Sequence, residues 1–227
     1  MNPTPEKTSV MAPFILMLFL YFIVGLFTVI NQQFQVPLKS ALLPHDGNMT
    51  NALVTLLNFS WFLAYPFSEG FATRWVDRLG YRKTSVYSLL IFIVGLGFYE
   101  AAVLLHIYAP SYITIMGNPI FTGFFVFLSG SFVIGMAVTI LQVVTGLYLD
   151  VNPVGKTTPL QRQMIGGTTN SIGMAIGPLV VSYIIFYGIP LHNVQSREFI
   201  WPVICLIAII CIFTLITARI KMPAINV

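Results

Sequence analysis

Charge is what this sequence has least of. Only 8% of its 227 residues are Asp, Glu, Lys or Arg, against about 25% in a soluble domain whose surface must face water. That shortage argues against a water-exposed globular fold and points to a surface facing something apolar. Cysteine is nearly absent too. Cys205 and Cys211 both lie in one apolar run, and six positions apart on a helix they face different ways, which speaks against a disulfide or a metal site. The three histidines, His45, His106 and His192, are scattered rather than clustered, so the nucleophile-with-base or metal cluster that a membrane-embedded enzyme needs is missing. No soluble domain and no low-complexity tract interrupts the chain.

What is present is apolar: 57% of residues are hydrophobic, enough for several membrane crossings of about 20 residues each. Six long runs can be marked, at Pro13–Pro37, Leu53–Phe71, Ser85–His106, Ile120–Leu149, Gly166–Gly188 and Phe199–Thr217. None shows the ten-residue alternation of a membrane barrel, and backbone groups in lipid must be satisfied internally. The expectation is an all-α integral membrane protein, a single bundle of six transmembrane helices over residues 1–227. The first run is too long for a cleaved signal peptide.

The basic residues fall between these runs, not along one face, so the net charge of +4 does not indicate nucleic acid. With the amino terminus placed in the cytoplasm, the inside carries Lys7, Arg74, Arg78, Arg82, Lys83, Lys156, Arg162, Arg219 and Lys221, and the outside only Lys39 and Arg197. That bias predicts a cytoplasmic-membrane protein with both termini inside. The segment 108–119 is uncharged and rich in turn residues, as an external connection can be. Two Asn-x-Ser/Thr sequences, at Asn48 and Asn58, are read as chance matches, the second because it lies inside a predicted helix.

Polar residues inside membrane helices are costly unless they face protein or a water-filled cavity. On the first helix Thr28, Asn31, Gln32 and Gln35 share one face. On the fourth, Gly135, Thr139, Gln142 and Gly146 do so, and on the fifth Gly166, Asn170, Gly173 and Gly177 repeat that spacing. Close helix packing accounts for the glycines. The amides bring donors and acceptors that demand partners, so Asn31, Gln32, Gln35, Gln142 and Asn170 are candidate contacts for a hydroxyl-rich ligand. Pro37 and Pro178 are sites where helices can bend or end. Two carboxylates, Glu69 and Glu100, are candidate proton or cation sites; for Glu69 the favoured reading is a structural ion pair with a cytoplasmic Arg such as Arg74 or Arg162.

The stretch Asp77-Arg78-x-Gly80-x-Arg82-Lys83 resembles the signature loop of the major facilitator superfamily. That resemblance implies a gating role for Asp77, Arg78, Gly80 and Arg82; Thr73 stands where a glycine is expected. Further residues resemble the fucose–galactose–glucose/proton symporter family: Gly25, Thr28, Asn31 and Pro37-Leu38-Lys39, then 139–143, Pro153, Arg162, 170–173 and Gly177-Pro178. Together they cover roughly residues 12 to 220.

The resemblance implies the amino-terminal half of a twelve-helix sugar transporter, built of two three-helix inverted repeats and working by alternating access. Asn31, Gln32, Gln142 and Asn170 would line its sugar cavity. The partners implied are a small-molecule sugar, membrane lipid and a carboxy-terminal six-helix half that would follow Val227. No cofactor is implied beyond a coupling proton or cation. Three departures stand out: Gln32 replaces the family's acidic residue, Gly146-Leu147 replaces an Asn-Pro, and Gly167 replaces a Gln. An amide cannot exchange a proton near neutral pH, so any coupling site must lie elsewhere or be absent. A carrier of another small polar solute, or a sugar sensor that does not transport, are the alternatives. Anions are disfavoured because no Lys or Arg sits mid-helix.

Overall fold

The computed structural model describes residues 11–43, 47–115 and 117–222; Lys7, His45 and the side chain of Asn48 lie outside the described residues. The chain is almost wholly helical. Its elements are α1 (Met11–Gln33), α2 (Gln35–Leu42), α3 (Asn48–Tyr108), a hairpin of β1 (Tyr112–Ile115) and β2 (Asn118–Phe121), α4 (Gly123–Val151), α5 (Pro159–Leu179) and α6 (Arg197–Arg219). Five helices among the described residues are long and apolar enough to cross a membrane.

Local chemistry explains where these elements start and break. Pro37 has no N–H for the Gln33 carbonyl four residues back, and α1 gives way to α2 at Phe34. The helix therefore resumes beyond Pro37 and runs to Leu42. Pro178 acts likewise on α5, which widens into a π-helical turn over Val180–Ile185. α5 also starts earlier than expected, at Pro159 instead of Gly166. There Thr158 accepts from the Gln161 backbone N–H, and the Gln161 side chain accepts in return from the Thr158 N–H. Ile120, expected in the fourth helix, is instead paired with Ile113 in the antiparallel hairpin.

A straight 61-residue α3 would measure about 90 Å, some three times the thickness of a hydrocarbon core. It is not straight. Gly80 sits at φ 76°, ψ 167°, a conformation open to glycine because it has no Cβ, and divides α3 into arms of residues 48–79 and 81–108. The first arm runs parallel to α4: Ser131 Oγ donates to the Leu57 carbonyl, and Gly135 meets the Trp61 carbonyl. The second arm runs antiparallel to α4, with Ser88 Oγ donating to the Ala137 carbonyl and Gly95 against Ile134. The arms thus fold back on each other, and Thr84 Oγ1 donates to the Trp75 carbonyl across the turn.

A second parallel pair joins α1 to α5. Gly25 meets Asn170, and Gly173 meets Phe22 and Leu26, so closely that a Cβ at either glycine would collide with the backbone opposite. Antiparallel contacts between α1 and α4 bring the start of α1, the Gly80 turn, the end of α4, the start of α5 and the end of α6 to one end of the bundle. Eight of the ten described Lys and Arg residues lie at that end; Lys39 and Arg197 lie at the other.

Candidate functional site

The polar residues of the membrane stripes separate into three places. The first is a buried knot. Asn31 is 2% exposed; its Oδ1 accepts from Tyr99 Oη at 3.1 Å and Ser131 Oγ at 2.9 Å, while its Nδ2 donates to Asn58 Oδ1 at 3.3 Å. Four helical segments meet there: α1, both arms of α3, and α4. Each donor and acceptor has a partner, as burial in an apolar medium demands, so in this conformation the Asn31 amide is committed to the protein. The Asn58 sequence motif is accounted for by the same knot, and Ser60 Oγ donates to the Leu128 carbonyl.

The second place is an open cleft of about 330 Å³ between α1, the first arm of α3 and α4, lined by Tyr21, Tyr65, Glu69, Thr139, Gln142 and Gly146 among others. Tyr21 is ten residues into α1, Gln142 nine from the end of α4, and Glu69 eleven before Gly80. At 1.5 Å per residue each is about 15 Å from the basic end, half of a hydrocarbon core of about 30 Å. Thr139 turns its hydroxyl to the Gly135 carbonyl of its own helix, leaving Gln142, Glu69 and the two phenols as the polar lining. Tyr21 and Tyr65 were not singled out from sequence. Tyr21 lies seven residues before Thr28, so extending the α1 stripe by two turns reaches it; Tyr65 has no such signal.

The third is a wider pocket of about 720 Å³ toward the other end, lined by Gln35, Lys39, Ser40, Asn51, Thr55 and His192 with apolar neighbours. Ser40 Oγ donates to the His192 carbonyl, tying α2 to the segment before α6. Gln35 thus stands apart from Gln142. Gln32 lies between the two on α1, half-buried.

Two candidates turn out to have structural duties. Asn170 Nδ2 donates to the Tyr21 carbonyl at 3.0 Å, at the crossing where Gly25 allows α1 and α5 to touch. Arg162 does not serve Glu69. Its Nε donates to the Leu149 carbonyl at 2.6 Å, and its terminal nitrogens donate to the Asp150 and Thr157 carbonyls. A cation thus closes the carbonyl-rich end of α4, where the helix dipole favours it. Glu69 is exposed, and among the described residues no Lys, Arg or His lines its cleft. Glu100, on the second arm of α3, is half-buried with Oε2 lacking a hydrogen-bond partner, and it lines neither cleft. Asp77, Arg78 and Arg82 are exposed around the Gly80 turn.

Comparison with protein families, with characterised proteins and with solved structures finds no match to this chain.

Proposed function

We propose that this chain is one six-helix half of a secondary transporter of the major facilitator type, and that the cleft around Gln142 is its part of a sugar cavity. The observation that carries the reading is the depth and make-up of that cleft. An amide, a carboxylate and two phenols gather in it, with Gln142, Glu69 and Tyr21 about 15 Å from the basic end, where polar side chains face protein partners, a path or a ligand. Hydroxyl-rich solutes suit such a lining, since amides and phenols both donate and accept and aromatic faces cover the apolar faces of a sugar ring.

Two features of the architecture support the transporter reading. The fold-back at Gly80 fits a reading in which the two arms of α3 are separate crossings, six in all, and the basic end lies in the cytoplasm. The parallel pairs, α1 with α5 and the first arm of α3 with α4, exchange when the first three crossings are mapped onto the last three. Such internal symmetry, with the binding site at the repeat interface, is the build of alternating-access carriers. A second six-helix bundle closes the cleft in this reading. Asp77, Arg78 and Arg82 at the Gly80 turn form the inner gate, and Asn31 sits above the cavity as its anchor.

Hexose binding to the purified chain in lipid nanodiscs, followed by radiolabelled uptake into proteoliposomes, tests the reading. Gln142→Ala is expected to weaken hexose binding while leaving membrane insertion intact. Unchanged affinity in that variant removes Gln142 from the site; uptake is expected only when a second six-helix half is present, and absence of binding and uptake in that paired form ends the sugar reading.

A further inference from the structure

The inner cleft holds one formal charge, and it is negative. Glu69 opens onto it from the first arm of α3, with Gln142 of α4 and the rings of Tyr21 and Tyr65 lining the same space. Among the described residues, no Lys, Arg or His lines the cleft. Of the cations named in the sequence argument, Arg162 is held by three backbone carbonyls, and Arg74 is exposed toward the basic end and does not line the cleft. An exposed carboxylate in such a cleft can pair with a cation that enters it. The two tyrosines beside it offer ring faces that attract a cation electrostatically.

We propose that the ligand brings that cation, and that the cleft selects an amino sugar whose ammonium lies between Glu69 and the tyrosine rings. The inference rests on the sugar reading and narrows it. The ammonium donates to the Glu69 carboxylate, a charge-assisted bond that a neutral hexose cannot make. Gln142, with both donor and acceptor capacity, takes the ring hydroxyls on the facing wall. Glu69 is then a specificity residue. It separates amine-bearing sugars from neutral ones by a contact that only the former complete, while a neutral hexose leaves the carboxylate without its partner.

The test is equilibrium binding to the full chain in nanodiscs, with glucosamine, glucose, N-acetylglucosamine and cyclohexylamine as probes. A pH of about 6.5 keeps amines protonated and a free carboxyl ionised. Glucosamine is expected to bind about tenfold more tightly than glucose, with N-acetylglucosamine no better than glucose. In Glu69→Gln, whose melting temperature should match the parent, the glucosamine-to-glucose ratio should fall to near one. Glu69→Asp should restore part of it. Glucosamine and glucose of equal affinity in the parent chain overturn the proposal but leave the sugar reading standing. Cyclohexylamine binding as tightly as glucosamine overturns it the other way, since a cation site would then stand without a sugar site. Binding of none of the four probes, or a ratio that survives Glu69→Gln, also overturns it.

Discussion

Asn31 and Gln142 are both side-chain amides on polar stripes inside membrane-length helices, yet they meet opposite fates. Asn31 is enclosed, with Tyr99, Ser131 and Asn58 meeting its oxygen and nitrogen. Gln142 lies one cleft away, half-buried beside open space. The glycines of α4 make the same contrast. A Cβ at Gly135 would come within 2.6 Å of the Trp61 carbonyl, whereas one at Gly146 would meet nothing within 4 Å. One stretch of α4 is sealed against its neighbours and the next, three turns on, is not. A polar residue in a membrane helix is therefore not by itself a ligand contact. What distinguishes the two kinds is whether the protein already supplies the partners.

That contrast should appear first and largest at the glycines. Gly135→Val forces α4 away from the first arm of α3, and overpacking of this kind costs about 1–3 kcal/mol or more, read as a marked drop in detergent melting temperature. A melt within a degree or two of the parent would mean that the sealed stretch is softer than the contacts imply. Next comes Asn31→Leu, which leaves Tyr99 Oη and Ser131 Oγ without their shared acceptor at a cost of about 1–3 kcal/mol. Tyr99→Phe removes a single bond of the knot and is expected to cost roughly 0.6 kcal/mol, the average for hydrogen bonds between membrane helices. At the small end, Gly146→Ala and Gln142→Ala should each leave the melt within about 0.5 kcal/mol of the parent. Gln142→Ala alone of these two should lose hexose binding. If Gln142→Ala destabilises as much as Asn31→Leu, the division between sealed and open amides collapses.

How much of this was readable in the sequence depended on what each signal measured. Apolar length located every long helix, because burying twenty residues in lipid leaves little choice of structure. It misplaced the start of α5, where Gln161, Arg162 and Gln163 look like loop. The Thr158–Pro159–Leu160–Gln161 pattern carried the missing boundary, since a hydroxyl followed three residues later by Gln, with Pro first in the helix, marks an amino terminus. The β-hairpin at 112–121 was legible only as turn-rich, because its short strands are too brief for an alternation to register. Gly80 was legible as a turn, and its positive φ bears that out.

The site was less accessible. Helical spacing can place Asn31, Gln32 and Gln35 on one face, but it says nothing of what stands opposite. Asn31 found Tyr99 and Ser131, both distant in the chain, and Gln35 lines a pocket that His192 shares. By sequence Asn170 and Arg162 look like cavity and ion-pair residues; in the structure both also donate to backbone carbonyls, which no side-chain pattern reveals. Glu69 stands out in the sequence as a carboxylate within an apolar run, and its company of Tyr21, Tyr65 and Gln142 needed the fold.

The close crossing of α1 and α5 also sets a timetable. Gly25 and Asn170 are 145 positions apart (170 minus 25), so at roughly 5–20 residues per second the ribosome takes on the order of ten to thirty seconds to deliver the second after the first. Throughout that interval the small-residue groove of α1 has no permanent occupant. The newborn first helix must be held by something else, whether lipid, the insertion machinery or a provisional neighbour, and the bundle cannot lock until α5 arrives.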